Sequence, residues 1–356
     1  MYVLVATPTG RGGKGGIARI MDSLSQALRQ RNDEALKVRY EPTRGTGNIF
    51  ISPYYLIRFC LLIVWLRSIN RLDLLHINIA SRGSTYRKVL IAMLARLLKV
   101  PYVLHLHGAQ YRDFWDGRGP ILDKAITAMF SHAARVFVLG NVWRDYIASK
   151  VAKQKDKIVI LPNASPLTKR THTRANDLLV ILFLGRLCER KGIIELIDAL
   201  SQIASLKGWQ AILAGDGDID WVRKKINERG LDERVSIPGW LGAVEVKKFI
   251  TNADILTLPS YDENLPMSVI EGMAAGLAIV ATPVGAVEDI IIDDETGLLV
   301  PVGNSAALAK ALTKLLENSN LRRELGEKAA AFHRAHLDIN EYAKQISKLW
   351  RESATG

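Results

Sequence analysis

Cysteine is scarce in this chain of 356 residues, which contains only Cys60 and Cys188. Two cysteines cannot build the disulfide framework typical of small secreted domains, so we expect a reducing compartment. No apolar run reaches the roughly 20 residues that a membrane-spanning helix needs. The start of the sequence enters a strand pattern directly and lacks the basic segment and cleavage site of a signal peptide. Together these absences predict a cytoplasmic protein.

Acidic residues are scarce in the first half of the chain. Residues 1–170 hold 27 Lys and Arg against 10 Asp and Glu, a net charge of +17, whereas residues 171–356 hold 21 against 26, a net charge of −5. These values add up to the +12 of the whole chain. We therefore expect an anionic partner for the first half, such as membrane lipid, a lipid-linked phosphate or nucleic acid. A basic surface that serves only solubility is the alternative.

Strand-like and helix-like segments alternate through both halves, which is typical of parallel sheets covered by helices. The first series starts with a strand at 2–7 and ends in a cluster of turn residues near Pro162. A polar stretch at 167–177 follows and is predicted to be an interdomain linker. The same rhythm restarts at residue 178, and the chain ends in a helical region at 305–350. The pattern predicts an α/β protein with two doubly wound domains.

Two carboxylates, Glu263 and Glu271, flank the junction between a predicted strand at 253–258 and a predicted helix at 267–275. A carboxylate can accept hydrogen bonds from two hydroxyl groups at once, as recognition of a polyol requires. The loop around Leu265 offers backbone N–H groups and the positive end of a helix dipole to a phosphate. This short stretch therefore predicts a site for a sugar, a ribose and a phosphate, which are the parts of a nucleotide sugar.

Two cations follow the first predicted strand of the second half. Arg186 and Lys191 stand in the segment Gly-Arg-Leu-Cys-Glu-Arg-Lys-Gly, directly after a strand at 178–184. A guanidinium offers a planar fork and an ammonium a point charge, and the combination suits a diphosphate. An ordinary basic loop would explain the charges but not their place after a strand.

A glycine-rich loop separates the first predicted strand from the first predicted helix. Its glycines include Gly13, Gly15 and Gly16, which allow close approach of a ligand to the backbone at a helix N-terminus. The loop is not a Walker loop, because Lys14 is not followed by Ser or Thr, and it lacks the dinucleotide-binding spacing. A flexible turn is the alternative, although a turn does not require so many glycines.

Two histidines, His105 and His107, end the predicted strand at 102–106 and point to the same side of it. A metal site is disfavoured because no third ligand is evident nearby. We predict that His105 is buried with its hydrogen bonds satisfied and that His76 is structural.

Taken together, these motifs resemble the retaining GT-B glycosyltransferases of family 4. The resemblance rests on Glu263-x7-Glu271, on Arg186 and Lys191 in their glycine-flanked segment, on His107 and on the glycine-rich loop. Two departures are Gly272, where alanine is usual, and Pro266, which brings no N–H to the donor loop.

The resemblance implies a GT-B fold, in which two Rossmann-like doubly wound domains face a central cleft. The expected boundaries are 1–166 for an acceptor-binding domain and 167–339 for a donor-binding domain, with a C-terminal helix at 340–356 that crosses back onto the first domain. The implied activity is transfer of a sugar, as in the hexosyltransferases, from a nucleotide diphosphate sugar to an acceptor hydroxyl with retention of the anomeric configuration.

The family's residue roles carry over by position. Glu271 would bind the ribose, Glu263 the donor sugar, and Arg186 and Lys191 the diphosphate, with backbone groups near Leu265 completing the donor site. In the first domain, His107 would approach the donor sugar near its reacting carbon.

The glycine-rich loop, with Gly13, Gly15 and Gly16, would lie beside the donor phosphates and the acceptor. No cofactor beyond the nucleotide sugar is implied, and no acidic metal cage is evident, so we expect metal independence. Asp216 and Asp218 are a weak counter-candidate for a metal site.

The apolar run at 54–66 is flanked by Arg58, Arg67 and Arg71. It fits either a buried helix that covers the first sheet or an interfacial helix with arginines at lipid headgroups. The basic first half favours contact with an anionic membrane surface. We therefore expect a lipid-linked saccharide acceptor at the inner face of the plasma membrane, and the resemblance implies bacterial polysaccharide biosynthesis as its context.

Two other functions remain open from the sequence. A GT-B epimerase or phosphorylase would share the fold and the motifs. A basic nucleic-acid-binding protein would explain the charge, but it would leave the Arg186/Lys191 and Glu263/Glu271 pairs without a purpose, and no known nucleic-acid module is present.

Overall fold

The computed structural model describes residues 1–10, 12–13, 15–168 and 178–355. Lys14 and most of the linker predicted at 167–177 lie outside the described residues. Contacts divide the chain into two compact units: unit 1 is Met1–Ala164 with Ile339–Gly356, and unit 2 is Ser165–Asp338. The predicted domain boundaries differ from these by one or two residues.

Unit 1 alternates strands and helices along its described residues. Its strands are β1 (Tyr2–Thr7), β2 (Lys37–Pro42), β3 (Leu74–Ile79), β4 (Tyr102–Leu106), β5 (Arg135–Val138) and β6 (Ile158–Ile160). Its helices are α1 (Gly16–Gln30), α2 (Ser52–Ser68), α3 (Gly83–Leu97), α4 (Tyr111–Asp116), α5 (Pro120–Ser131) and α6 (Asn141–Lys150), joined at the end of the chain by α13 (Ile339–Thr355). The strands form one parallel sheet in the order β2-β1-β3-β4-β5-β6.

Unit 2 repeats this plan. Its strands are β7 (Leu179–Leu184), β8 (Trp209–Ala214), β9 (Val235–Gly239), β10 (Ile255–Leu258), β11 (Ala278–Ala281) and β12 (Leu298–Leu299). Its helices are α7 (Ile193–Gln202), α8 (Ile219–Asn227), α9 (Ala243–Asn252), α10 (Met267–Ala274), α11 (Ser305–Glu317) and α12 (Ser319–His336). The strands again form a parallel sheet, in the order β12-β11-β10-β7-β8-β9. Both predicted Rossmann-like units are therefore confirmed.

The strands at the centre of each sheet are buried on both faces because helices cover both. In β3, Leu75, Ile77 and Ile79 join the core that α2 and α3 close with Phe59, Ile63 and Val89. The alternate positions, His76 and Asn78, are fully buried on the opposite face. One face of the unit 1 sheet is thus hydrocarbon, and the other includes buried polar groups.

Helix α13 covers that polar face of unit 1. Trp350 is fully buried, its indole Nε1–H donates to His76 Nδ1 over 3.0 Å, and the two rings meet edge to face at 5.6 Å. Arg351 forms an ion pair with Asp33, and α13 packs along α1. The last described helix is therefore part of the unit that contains the first strand.

The strand order reverses once in each sheet, which sets the place of a ligand site. In unit 2 the reversal lies between β7 and β10, and in unit 1 between β1 and β3. Loops that leave the carboxyl ends of two such strands diverge to opposite faces and leave a crevice where ligands of open α/β sheets bind. The loops after β7 and β10 carry Arg186, Lys191 and Glu263.

Nowhere in the described residues does a helix have both the length and the apolar character needed to cross a membrane.

Candidate active site

The loops after β7 and β10 are in direct contact at the strand reversal of unit 2. Gly192 has a φ of +68°, and a Cβ there would lie 1.9 Å from the carbonyl oxygen of Pro259. Only glycine permits both this backbone conformation and this approach. The loop that carries Lys191 is thereby held against the loop that carries Glu263.

Lys191 and Glu263 form an ion pair whose two side chains are mostly buried. The Ser260 hydroxyl donates to the same carboxylate oxygen, Oε1, over 3.0 Å. No described residue donates to Glu263 Oε2, and an ammonium has three donors. The pair therefore keeps one acceptor oxygen and two N–H donors for a ligand.

Backbone contacts fix the position of Glu263. Gly285, in the loop after β11, has a φ of +61°, and a Cβ there would lie 2.1 Å from the Glu263 carbonyl oxygen. Ala286 N donates to Asn264 O over 2.7 Å, and Thr282 Oγ1 donates to Ser260 O over 2.5 Å. Contacts between the loops after β10 and β11 thus hold the carboxylate in place before any ligand arrives.

Arg190, the cation next to Lys191, has a structural contact. Its guanidinium donates to the Asp262 carbonyl over 2.6 Å, while its own carbonyl accepts from Tyr261 N over 2.9 Å. These bonds tie the two loops together once more. Arg190 therefore links the two loops, and Arg186 and Lys191 remain the cations available to a ligand.

Arg186 lies exposed at the end of β7, and its side chain forms no hydrogen bond or ion pair with the described residues. The loop beneath it is ordered by the loop after β8, because Leu187 N donates to Asp216 O over 2.6 Å and Asp218 N donates to Leu187 O over 3.1 Å. A guanidinium on a fixed backbone and without an internal partner is well placed to meet an anion.

Glu271 lies half-buried one turn into α10, and Leu265 is buried in the loop that precedes this helix. Pro266 directly precedes α10, so Met267 supplies the first N–H of the helix N-terminus. At Gly272 a Cβ would stand 3.0 Å from Cδ1 of both Ile279 and Leu256. The alanine that is usual at this position in the family would crowd the sheet here.

In unit 1, His107 lies at the end of β4 and contacts Asn78 of β3. The Asn78 amide donates through Nδ2 to Ala6 O over 3.2 Å, and its Oδ1 lies 2.8 Å from His107 Nε2. The amide oxygen can only accept, so Nε2 of His107 carries the proton and Nδ1 is an acceptor. Burial, with a smaller contribution from His76, lowers the pKa of His107 to about 3, which makes the imidazole neutral.

His105 and His76 are both fully buried behind His107, and the rings of His105 and His107 lie 4.0 Å apart. Burial lowers the pKa of His76 to about 3 and holds the pKa of His105 well below its usual value. The prediction that His105 is satisfied is wrong, because neither of its ring nitrogens has a hydrogen-bond partner among the described residues. Ring contacts with His76, His107 and Phe137 take the place of hydrogen bonds.

The glycine-rich loop lies at the strand reversal of unit 1. Gly12 N donates to the Asp22 carboxylate over 3.0 Å, and Gly10 N donates to Thr7 Oγ1 over 3.1 Å. Gly13 lies in this loop, Gly15 directly precedes α1, and Gly16 begins the helix without a side-chain cap. The N-terminus of α1 therefore has backbone N–H groups available to a ligand.

Three residues that support this geometry had no role predicted from the sequence. Ser260 and Gly285 order Glu263, and Asn78 sets the tautomer of His107. The only sequence signal for Asn78 is its place two residues after His76 near a strand end, where polar groups are uncommon. For Ser260 and Gly285 the signal is spatial, because each acts across loops that are distant in sequence.

No three His, Cys, Asp or Glu side chains are grouped as metal ligands in the part of the chain that the structure describes. The counter-candidate Asp218 caps α8 by accepting from Trp221 N over 3.3 Å.

Comparison with protein families accounts for both units. The family model described as "Glycosyl transferases group 1" matches residues 165–332, and the model described as "Glycosyl transferase 4-like domain" matches residues 3–164. The two matches adjoin at the boundary between the units.

Curated relatives are glycosyltransferases as well. The chain is 28% identical to alpha-D-kanosaminyltransferase of Streptomyces kanamyceticus over 280 residues, which cover 73% of this chain and 72% of that protein. It is 35% identical to phosphatidyl-myo-inositol mannosyltransferase of Mycobacterium leprae over 179 residues, which cover 49% of this chain and 47% of that protein.

Solved structures share the architecture. Sucrose-phosphate synthase of Thermosynechococcus elongatus has a TM-score of 0.81 at 20% identity, covering 99% of this chain and 98% of its own. Anabaena HepE, solved in complex with UDP and glucose, has a TM-score of 0.76 at 17% identity, covering 98% of this chain and 99% of its own. At these identities the likeness shows the fold.

Proposed function

Because this chain belongs to glycosyltransferase family 4 and is a sugar-transferring enzyme of the GT-B fold, we propose that it moves a sugar, as hexosyltransferases do, from a nucleotide diphosphate sugar to an acceptor hydroxyl with retention of configuration. The Lys191–Glu263 pair at the strand reversal of unit 2 carries this proposal. It presents a cation and an acceptor oxygen at the place where α/β sheets bind nucleotides. A diphosphate and a sugar hydroxyl match those two groups.

In the proposed reaction, Arg186 and Lys191 bind the donor diphosphate. Negative charge grows on that group as the glycosidic bond breaks, so cations fixed beside it lower the barrier. Glu263 Oε2 accepts from a hydroxyl of the donor sugar, and Glu271 accepts from the ribose. Backbone groups near Leu265 and the N-terminus of α10 complete the diphosphate site.

Unit 1 supplies the groups that meet the acceptor and the reacting carbon. We assign the acceptor to the glycine-rich loop with Gly13, Gly15 and Gly16. His107 is neutral, with Nδ1 free of the proton, so it accepts a hydrogen bond from a sugar hydroxyl and does not act as an acid. Retention then follows from attack on the face that the leaving group vacates, with the leaving phosphate taking the acceptor's proton.

The two cations at the diphosphate also underlie a proposal of metal independence. Arg186 and Lys191 supply the positive charge that a divalent cation brings to phosphates in other enzymes. The nucleotide sugar is then a co-substrate, and no further cofactor enters the reaction.

The proposal predicts a specific response to donors. One nucleoside diphosphate of a panel should raise the melting temperature, since a ligand that binds only the folded state stabilises it. The matching nucleotide sugar, with a lipid-linked or saccharide acceptor and EDTA present, should then give a product whose anomeric configuration, read by NMR, equals that of the donor. Loss of all transfer on chelation, with recovery on adding Mg²⁺ or Mn²⁺, would remove the metal-independence proposal.

The outcome also separates the alternatives. An inverted anomer would remove the retention proposal. An epimerised donor without transfer would identify an epimerase, and release of a sugar phosphate from a saccharide would identify a phosphorylase. Stabilisation by short DNA or RNA, but by none of the nucleotides, would favour the nucleic-acid-binding protein.

A second part of the proposal concerns the membrane. Helix α2 bears on the question left open by the apolar run at 54–66, because it has one buried and one exposed apolar face. Phe59, Ile63 and Leu66 are buried against the unit 1 sheet. The other face exposes apolar side chains at helical spacing, namely Tyr54, Ile57, Leu61, Val64 and Trp65.

Helix α3 packs beside α2 and extends this exposed face with a stripe of its own, formed by Tyr86, Leu90, Met93 and Leu97. The exposed fractions of these nine residues run from 42% at Val64 to 79% at Leu97. We call them the apolar surface. So many adjacent exposed apolar side chains mark a surface that contacts another apolar phase or partner.

The charges around the apolar surface indicate what kind of partner it contacts. Residues 42–112 contain ten Lys and Arg and a single carboxylate, Asp73. A bilayer with anionic headgroups matches an apolar face in a basic surround. We propose that the apolar surface lies on the inner face of the plasma membrane and that the acceptor is a lipid-linked saccharide of polysaccharide biosynthesis. The name of the mycobacterial relative, a phosphatidyl-myo-inositol mannosyltransferase, fits a lipid acceptor.

The double variant Leu61→Glu/Leu90→Glu should abolish co-sedimentation with anionic liposomes at low salt. It places a carboxylate on each helix of the apolar surface, where burial among acyl chains and repulsion by anionic lipid both oppose binding. Val244→Glu is the matched control, because Val244 is 84% exposed on unit 2. Wild-type binding should weaken with salt, and the nucleotide-dependent thermal shift should be the same in all three proteins.

The membrane proposal fails if the wild-type protein stays in the supernatant with anionic liposomes at low salt. It also fails if the double variant sediments as well as the Val244→Glu control.

A further inference from the structure

Three cations gather beside the glycine-rich loop of unit 1 and have no role in the donor site. Lys88 of α3 is only 1% exposed, and its ammonium donates to Thr43 Oγ1 over 2.5 Å. Thr43 in turn donates to Thr7 O over 2.9 Å, at the end of β1. Arg87, next to Lys88, and Arg44, next to Thr43, complete the group, which we call the cation cluster.

The cation cluster lies at the strand reversal of unit 1. Thr43 and Arg44 directly follow β2, and α3 follows β3, so all three cations are at the carboxyl edge of the sheet. Arg44 N donates to Pro8 O over 2.9 Å, which places it against the glycine-rich loop. This is the position at which open α/β sheets bind their ligands.

The cation cluster lacks negative charge. None of Arg44, Arg87 and Lys88 forms an ion pair with a carboxylate among the described residues, and the nearby Glu41 is engaged by Arg39 and Arg58. The Arg87 Nε is buried without a hydrogen-bond partner. Burying a cation without a counter-ion is costly, and an anion bound beside Lys88 and Arg87 would offset that cost.

The electrostatics of the cation cluster agree with this geometry. Burial, and then the proximity of Arg87, hold the pKa of Lys88 well below its usual value. Burial, and then Arg44, lower the pKa of Arg87. No carboxylate contributes to either shift. An anion bound here would offset both the burial of Lys88 and Arg87 and the repulsion between neighbouring cations.

The N-terminus of α3 adds donors. The Arg87 guanidinium folds back to the first turn, where its Nη1 lies 3.4 Å from the position that a Cβ of Gly83 would take. Glycine at this point leaves room beside the guanidinium, and the helix dipole favours an anion there. Tyr86, which directly precedes Arg87, belongs to the apolar surface, so the cation cluster and the apolar surface are neighbours on α3.

We propose that the cation cluster binds the phosphate or diphosphate group of the acceptor, while the acceptor's hydrocarbon lies along the neighbouring apolar surface. The inference rests on the proposed function in taking the acceptor as the ligand. Arg87 and Arg44 contact the phosphate oxygens. Lys88 acts from beneath them as a buried positive charge and holds the ends of β1 and β2 in place through Thr43.

Binding of inorganic pyrophosphate tests the site directly. The Arg186→Ala background weakens the donor site, which also attracts diphosphates. In that background, Arg87→Gln and Lys88→Met should each raise the Kd for pyrophosphate about tenfold or more, because each removes a cation that touches or faces the anion. Arg96→Gln is the matched control, since Arg96 is an exposed arginine on the same helix. It should leave the Kd unchanged.

The stability of Lys88→Met gives a second, independent measurement. Methionine fills the same space without the uncompensated charge, so the ligand-free variant should melt at or above the wild-type temperature. A lysine with only a structural role would give the opposite result, because its hydrogen bond to Thr43 would be lost without a gain.

Two further probes, a short prenyl diphosphate and phosphatidylglycerol vesicles, distinguish an acceptor phosphate from the phosphate of a lipid headgroup. The prenyl diphosphate should lose affinity in Arg87→Gln as pyrophosphate does, whereas vesicle binding should depend mainly on Leu61 and Leu90. Vesicle binding that fails in Arg87→Gln while both diphosphates still bind would reassign the cluster to lipid headgroups.

The inference is also overturned if pyrophosphate does not bind the Arg186→Ala protein, or if Arg96→Gln has the same effect as Arg87→Gln. Nucleoside diphosphates should still stabilise the Arg87→Gln protein. Their failure on the wild-type protein would instead remove the proposed function.

Discussion

Replacing Arg186 by alanine should lower turnover by at least about tenfold, which corresponds to about 1.4 kcal/mol of activation free energy. Arg186 is exposed and its side chain forms no hydrogen bond or ion pair with the described residues, so its loss should leave the melting temperature unchanged. The proposed role of Arg186 is to stabilise charge on the leaving diphosphate, and removal of such a cation acts on the transition state. Steady-state kinetics and a thermal melt measure the two quantities.

Lys191→Ala should show the same loss of turnover together with a loss of stability. Glu263 is 8% exposed and would be left without its cation, and removing one partner of a buried pair is strongly destabilising. The double variant Lys191→Met/Glu263→Gln should recover much of the stability, since no charge remains unpaired, but none of the turnover. This split separates the contribution of the pair to folding from its contribution to catalysis.

Arg223→Ala is the control for both variants, because Arg223 is an exposed arginine of unit 2 on α8, away from the strand reversal. It should change neither turnover nor melting temperature. Near wild-type turnover in both Arg186→Ala and Lys191→Ala would refute the donor-site assignment.

Trp350→Ala should produce the largest loss of stability, about 3–5 kcal/mol for truncation of a buried tryptophan. Trp350 fills the space between α13 and the sheet, and its indole is the hydrogen-bond donor to His76 Nδ1. Burial keeps His76 neutral, with a pKa of about 3, so its Nδ1 needs a donor. Trp350→Phe keeps most of the packing but leaves that nitrogen unpaired, at a cost of about 1–3 kcal/mol.

Trp65→Ala provides the comparison within the same unit. Trp65 is 54% exposed on the apolar surface, so its truncation should change the free energy of unfolding by about 0.5 kcal/mol or less. Calorimetry can assign the loss of stability to one unit, because the unfolding transition that shifts with a nucleoside diphosphate belongs to unit 2. That transition should stay in place in Trp350→Ala. Equal losses in Trp350→Ala and Trp65→Ala would contradict the packing described for α13.

The sequence predicted most strands of both sheets because they are apolar runs between turn signals. It did not predict β2, whose residues Lys37–Pro42 alternate in polarity and end in proline, as an edge strand permits. The helical region at 305–350 consists of three helices. Asn318 Oδ1 accepts from Leu321 N and so marks the start of α12, a capping signal that the periodicity of the region concealed.

The candidate site was predictable residue by residue but not as an arrangement. Arg186, Lys191 and Glu263 follow strand ends, which any reading of the motifs can locate. The ion pair between Lys191 and Glu263 depends on β7 and β10 being neighbours, although β8, β9 and their helices separate them in sequence. Which strands are adjacent in a sheet depends on the topology, and the order of the strands along the chain does not reveal it.

The exposed face of α2 was hidden from the sequence for a related reason. Apolar residues surround this helix on all sides, so no periodicity distinguishes the buried Phe59 from the exposed Leu61. Only the packing of α2 and α3 against one sheet shows which side remains uncovered.

The position of α13 also constrains the order in which the two units can complete their folding during synthesis. Trp350 closes the core of unit 1, yet the ribosome synthesises it only after all of Ser165–Asp338. Unit 2 is continuous in sequence and can fold as soon as it emerges, as domains generally do during synthesis. Unit 1, although it begins the chain, completes its core last. Until then the histidines that α13 covers remain exposed to solvent, which gives chaperones a defined interval in which to act.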